Sequence, residues 1–186
     1  METKIKSIAV FCGAREDLAS HYQHMAFGLG KIIAQKKKNL IYGGGRVGLM
    51  GHVAQGALQN GGYVVGVIPE ALMNRELGLK ACQELHQVQT MHERKAMMAD
   101  RADAFIAIPG GFGTLDEIFE IITWRQLQFH NKPIVFLNHQ GYFDSLLQFC
   151  EKMKQEGFIS AKDWSLIEVY SSLDEWVSAW ERANRL

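Results

Sequence analysis

Five short apolar runs, Ile5–Phe11, Leu40–Tyr42, Tyr63–Ile68, Phe105–Ile108 and Ile134–Leu137, alternate with longer stretches of helical periodicity such as Leu18–Lys36 and Leu49–Asn60. Few folds accommodate that order. Strand-like runs separated by helix-length connections predict βαβ units, and hence an α/β chain with a doubly wound, Rossmann-like, mainly parallel sheet carrying helices on both faces. A further short strand is expected at Leu85–Val88 or Leu166–Val169, and a closing helix over Leu173–Ala183. The 186 residues show no internal repeat, low-complexity tract or linker. A single Rossmann-like domain spanning 1–186 is therefore expected.

Charge narrows the partners. Lys+Arg and Asp+Glu both total 20, so no basic excess points to general nucleic-acid binding. No stretch approaches the roughly 18 uninterrupted apolar residues of a membrane span. Lys4 and Lys6 before Ser7–Cys12 imitate a secretion signal only weakly, because the apolar run is short and Arg15-Glu16-Asp17 follows at once. Cys12, Cys82 and Cys150 are odd in number and far apart, which fits reduced thiols and a cytoplasmic location better than a disulfide framework. His21 and His24 can share a helix face, but two histidines without further ligands do not make a metal site, and none is expected.

The densest chemistry lies in Pro109-Gly110-Gly111-Phe112-Gly113-Thr114-Leu115-Asp116-Glu117, between the strand Asp103–Ile108 and the helical spacing of Ile118, Ile121, Ile122 and Leu127. Glycines where a strand hands over to a helix N-terminus leave backbone N–H groups and the positive dipole end open to a phosphate. Thr114 and Glu117 also fit a capping box, in which Thr114 caps the helix and Glu117 reaches back to its backbone. Asp116 reads as a favourable charge in the first helical turn.

Upstream, Met91-His92-Glu93-Arg94-Lys95 opens another helix. Adjacent cations there oppose the dipole, so they suggest an anion nearby, against the plainer reading of an exposed, charged first turn. His92 ranks below Arg94 as a donor. Gly43, Gly44 and Gly45, with Arg46-Val47-Gly48, satisfy G-x-G-x-x-G, and Glu70 lies near the distance of a dinucleotide fold's ribose-binding acid. Because this pattern follows the second strand and Glu70 follows Pro69, a mononucleotide-type glycine turn is the preferred reading. Plain helix–sheet packing suffices for Gly48 and Gly51.

Met-His-x-Arg-Lys followed by Pro-Gly-Gly-x-Gly-Thr-x-x-Glu resembles the "lonely guy" (LOG) family of cytokinin riboside 5′-monophosphate phosphoribohydrolases, a group that has also carried the label lysine decarboxylase. Ile8–Gly13, Tyr42–Gly45 with Gly48-Leu-Met-Gly51, and Val67-Ile-Pro69 match further family blocks in order, so the resemblance covers nearly the whole chain. It implies Arg94 and Glu117 as the catalytic pair. It implies a substrate-binding set of Glu76, Arg94, Lys95, Gly110, Gly111, Phe112, Gly113, Thr114, Leu115, Asp116, Glu117 and Thr123. The family usually forms at least a dimer, so a homodimer or higher homo-oligomer is implied. Apolar Phe119, Trp124 and Leu127 can serve either a shared surface or a core.

The activity so implied is hydrolysis of the N-glycosidic bond of a purine nucleoside 5′-monophosphate, releasing free base and ribose 5-phosphate. The base is adenine or an N6-substituted adenine, and cytokinin activation and AMP nucleosidase activity would use the same core site. Many plant members carry Thr-Gly-Glu-Thr-Val-Gly where this chain reads Leu77–Cys82, which leaves the particular substrate open. A nucleotide-binding carrier or sensor without catalysis is the alternative. Pyridoxal phosphate chemistry would need a Schiff-base lysine and a partner for the ring nitrogen; no segment is recognisable as that, and no cofactor is expected.

Overall fold

The computed structural model describes residues 5–73 and 81–183. Its described strands are β1 (Ser7–Phe11), β2 (Asn39–Tyr42), β3 (Val64–Pro69), β4 (Glu84–Val88), β5 (Ala104–Ala107), β6 (Ile134–Leu137) and β7 (Ile167–Tyr170). They form one sheet in the order β4-β3-β2-β1-β5-β6-β7, and every pair is parallel. The helices are α1 (Ser20–Gln35), α2 (Gly48–Leu58), α3 (Glu70–Met73), α4 (Met91–Arg101), α5 (Phe112–Gln126), α6 (Asp144–Gln155), α7 (Ala161–Trp164) and α8 (Leu173–Ala183). The expected doubly wound α/β fold is thus present.

Strand periodicity builds two cores. Along β1, Ile8 and Val10 face one way with Leu40 and Tyr42 of β2, and meet Leu29 and Ile33 of α1, Val53 and Ala57 of α2, and Trp176 of α8. Ala9 and Phe11 face the other way with Phe105 and Phe136, against Met98 of α4, Ile118 and Ile121 of α5, and Phe143. Burial on both faces explains why the strands read as continuous apolar runs and not as alternating ones.

Both of the alternative short strands form, β4 and β7, one at each edge of the sheet. The edge strand β4 is tied down by Glu84. Its carboxylate meets His86 at 2.6 Å and accepts hydrogen bonds from Arg101 at 2.7 Å and Tyr63 Oη at 2.9 Å. His86, Tyr63 and Arg101 together lower its pKa to about 2. Glu70 opens α3 directly after Pro69 ends β3.

The feature that positions the site is the reversal of winding between β1 and β5. Strands to one side of β1 are reached by connections running one way, and those beyond β5 by connections running the other. The two chains that leave β1 and β5 therefore part, opening a crevice beyond the strands' C-terminal ends. Backbone bonds Ile108 N to Phe11 O (3.0 Å) and Gly13 N to Pro109 O (3.1 Å) hold its floor together.

Candidate active site

That crevice is a cavity of about 370 Å3. The turns after β1 (Cys12–Arg15), β2 (Gly43) and β5 (Pro109–Gly111) converge on it, with side chains from α4, α5 and the segment before α6. Its size falls within the range of small-ligand sites.

Arg94, Thr114 and Glu117 are the buried polar and charged residues among those described, at 6%, 2% and 7% exposure, and all three line this one cavity. Charge does not go below the surface without compensation. Arg94 Nη1 lies 3.3 Å from Glu117 Oε1, Nε donates to Val67 O at 3.1 Å, and Nη2 donates to Gly43 O at 3.3 Å. The guanidinium is thus spread between a carboxylate and the ends of two strands, and it holds Glu117 at the cavity wall.

Helix α4 brings Arg94 inward because Thr90 starts the helix in the right register. Thr90 Oγ1 accepts from Glu93 N at 3.1 Å, and Glu93 Oε2 accepts from Gln89 N at 2.8 Å. Arg94 then lies one turn before buried Met98, on the same face. The plainer alternative of an exposed, charged first turn does not hold for Arg94, whose guanidinium is buried.

The capping box on Thr114 and Glu117 is also corrected. Helix α5 starts at Phe112 with Gly111 as its cap residue, and no side chain caps it. Thr114 and Glu117 both lie within the helix, and Glu117 is paired with Arg94. Thr114 Oγ1 is buried with no hydrogen-bond partner among the described residues. The N–H groups of Phe112, Gly113 and Thr114 precede the reach of any intrahelical acceptor.

Gly111 and Gly113 sharpen the picture. Among the described residues, a Cβ at either would meet nothing within 4 Å, and neither has a positive φ. Among the described residues, neither packing at the Cβ nor backbone conformation requires glycine at these two positions. Gly110 differs, since a Cβ there would strike Thr114 Oγ1 and Gly13 N.

The two glycine turns are not equivalent. At the N-terminus of α2, Leu49 N–H is given to Gly13 O at 2.9 Å, and Gly48 (φ +58°) packs on the backbone of Ala14 and Arg15. That helix end is closed by the chain itself. Of Gly43, Gly44 and Gly45, only Gly43 lines the cavity; Gly44 (φ +78°) packs against Ile68, and Gly45 is buried.

The remaining sequence candidates are dispersed. Lys95 is turned away, with Nζ 3.2 Å from both Asp116 and Glu120. Burial works against its charge, but these carboxylates outweigh it and hold its pKa above the ordinary lysine range. Leu115 packs toward the second core, Phe112 is 93% exposed, and exposed Thr123 donates to Phe119 O at 2.8 Å. Phe119 and Trp124 pack partly buried on the second core, whereas Leu127 is exposed. Glu76 lies outside the described residues. Among those described, no group of three His, Cys, Asp or Glu residues is placed to hold a metal ion.

Sequence reasoning missed Cys12, Gly13, Arg15, Tyr22 and Tyr142 as lining residues. The first three follow β1 directly, so their place at the switch point was available from the strand order. Tyr22 and Tyr142 carried no local signal. They meet edge-on at 5.8 Å between ring centroids, and Tyr142 Oη donates to Gly110 O at 2.8 Å.

Fold and cleft together define an open α/β protein whose switch point combines a buried acid–guanidinium pair with an uncapped, glycine-lined helix end. Residues 50–180 match the family model described as "Possible lysine decarboxylase". A cytokinin riboside 5′-monophosphate phosphoribohydrolase of Arabidopsis thaliana, LOG3, is 44% identical over 188 residues, covering 97% of this chain and 87% of the relative. The enzyme of the same name from Rhodococcoides fascians is 47% identical over 175 residues, covering 94% and 88%. The chain belongs to the LOG family. Among solved structures, the molybdenum cofactor carrier protein of Chlamydomonas reinhardtii superposes with a TM-score of 0.74 over 97% of this chain and 99% of its own, at 22% identity. That likeness is one of fold.

Proposed function

We propose that the protein hydrolyses the N-glycosidic bond of a purine nucleoside 5′-monophosphate, releasing the free base and ribose 5-phosphate. One observation carries this reading: a buried carboxylate, held by a guanidinium, shares a cavity with a glycine-bearing helix end whose Thr114 hydroxyl is buried and without a hydrogen-bond partner among the described residues. The relatives at 44–49% identity are named for this reaction.

The chemistry follows from the charges. Cleavage at C1′ passes through an oxocarbenium-like sugar, which a nearby carboxylate stabilises. Glu117 is that carboxylate, and it accepts a proton from the attacking water as the water oxygen bonds to C1′. The electrons of the C1′–N bond leave with the base, which takes up a proton. Arg94 keeps Glu117 in place and compensates its charge out of water. The 5′-phosphate is remote from the broken bond; gripped by the amides of Gly111–Thr114 and the Thr114 hydroxyl, it contributes binding energy that fixes the sugar.

The base is adenine or an N6-substituted adenine, so the activity is of cytokinin-activating or AMP nucleosidase type. The protein acts in the cytoplasm, a reading supported by its odd and dispersed cysteines, and as a homodimer or higher assembly. Exposed Phe112, Leu127 and Phe129 offer apolar surface for that association. The decarboxylase label finds less support, since no lysine lines the cavity among the described residues.

Incubation with AMP, isopentenyl-AMP, GMP and CMP, with products resolved by chromatography, tests the reading. Adenine or isopentenyladenine should appear together with ribose 5-phosphate. Tight AMP binding with no base released over long incubation would establish a carrier instead.

A further inference from the structure

We infer that Arg15 is the charge that selects a phosphorylated substrate: its guanidinium closes on the 5′-phosphate from across the cavity, opposite the N-terminus of α5. The inference rests on the reading of the cavity as a nucleotide site.

Counting charge around the cavity leads to it. Only two cations line the cavity among the described residues, Arg94 and Arg15. Arg94 is neutralised by Glu117 and holds two backbone carbonyls besides. Lys95 is compensated by Asp116 and Glu120 and does not line the cavity. The α5 N-terminus contributes only about half a unit of positive charge. A phosphate monoester carries roughly −1.5 to −2 near neutral pH. Without Arg15 the site is therefore short of positive charge, however many amides point into it.

Arg15 is built to make up the difference. Among the described residues no hydrogen bond or ion pair engages its guanidinium, although Glu16 and Asp17 follow it in sequence. Its backbone is pinned nonetheless. Gly13 N donates to Pro109 O, Gly13 O accepts from Leu49 N, and Gly48 leaves just enough room for the carbonyls of Ala14 and Arg15. The loop is thus fixed to both glycine turns while the side chain stays uncommitted at the cavity mouth. A planar guanidinium matches a phosphate with two parallel hydrogen bonds, which an ammonium does not reproduce. The Thr114 hydroxyl, buried and unpartnered among the described residues, marks where the anion would sit.

The test compares wild type, Arg15→Ala and Arg15→Lys on AMP and on adenosine, with Arg46→Ala as a control that removes an exposed cation outside the cavity lining. In Arg15→Ala the KM for AMP should rise about tenfold or more, the worth of a hydrogen bond to a charged group, while kcat changes little. The preference for AMP over adenosine should narrow by the same factor. Arg15→Lys should recover part of the loss, and Arg46→Ala should behave as wild type. An equal loss on AMP and adenosine would make Arg15 merely structural, and an unchanged KM would make it a surface charge; either overturns the inference. If wild type hydrolyses no nucleotide, the functional reading fails on its own. Ribose 5-phosphate binding measured by calorimetry then decides Arg15 separately: at least tenfold weaker binding in Arg15→Ala upholds its role, and equal binding removes it.

Discussion

Gly43 and Arg94 are fitted to one another: the Gly43 carbonyl accepts from Arg94 Nη2 at 3.3 Å, and a Cβ on residue 43 would occupy the space of that same nitrogen. The turn after β2 is glycine-bearing here because a guanidinium lies against it. The guanidinium is the far end of a flexible side chain, so it can swing aside, but only by leaving Glu117. Gly43→Ala should therefore leave a folded protein with unfolding midpoint lowered modestly, and base release from AMP reduced by roughly 10²-fold, as for loss of an acid–base group. Full activity in a folded Gly43→Ala protein would show that the Arg94–Glu117 geometry is dispensable.

The Arg94–Glu117 pair separates stability from catalysis. Replacing one partner leaves the other charge buried and uncompensated, so Glu117→Gln should lose stability by about 1–3 kcal/mol as well as activity by roughly 10²-fold or more. The double change Arg94→Met with Glu117→Leu removes both charges and should restore stability, from neutral to about 1–4 kcal/mol above wild type. It should remain inactive. Urea unfolding and AMP turnover on the three variants measure both quantities.

Gly111 and Gly113 invite the opposite substitution. Among the described residues a Cβ at each meets open space, neither has a positive φ, and Gly113 lies in the first turn of α5. Gly113→Ala should raise stability by about 0.4–1 kcal/mol, since alanine loses less entropy on folding. Its Cβ would stand in the path of the phosphate, so the KM for AMP should rise roughly tenfold, a difference of about 1.4 kcal/mol. Thermal unfolding and steady-state kinetics on one preparation are sufficient, and a stabilised variant with unchanged KM would clear the helix end of any role in binding.

Glu84 gives a pH dependence at the far edge of the sheet. Its folded pKa, about 2, is depressed from the ordinary 4.5. A depressed acid stabilises the fold above its unfolded pKa, and that contribution is lost as pH falls toward the folded value. The stability difference between wild type and Glu84→Gln should be largest near neutrality and shrink steadily from about pH 4.5 toward 2. A difference independent of pH, followed by urea titration, would assign the effect to packing.

The strands and principal helices were legible because both of their periodicities are written locally: β6 spans Ile134–Leu137 and α8 spans Leu173–Ala183, as the sequence predicts. The short edge strands β4 and β7 were ambiguous because each is shielded less and carries fewer apolar residues. Helix α6 went unread, although Leu146, Leu147 and Cys150 share one face. At the site, Thr-x-x-Glu suggested a cap because local pattern cannot register a competing partner. Glu117 finds a guanidinium 23 positions upstream, and only the packing of α4 and α5 on adjoining strands makes that pairing available. The spacing of Arg94 and Met98 did hold the inward direction of Arg94, once Met98 was assigned to the core.

The empty space before Gly111 and Gly113 also bears on how relatives can be sorted. Among the described residues folding imposes no demand there, so on the proposed function it is the bound nucleotide that keeps those positions clear. A descendant that no longer binds it would be free to acquire alanine or serine at both, and would gain thermal robustness in doing so. The residues at these two positions therefore act as a gauge of continued use. Relatives that keep the fold but have filled the gap are the first in which to look for a different occupation.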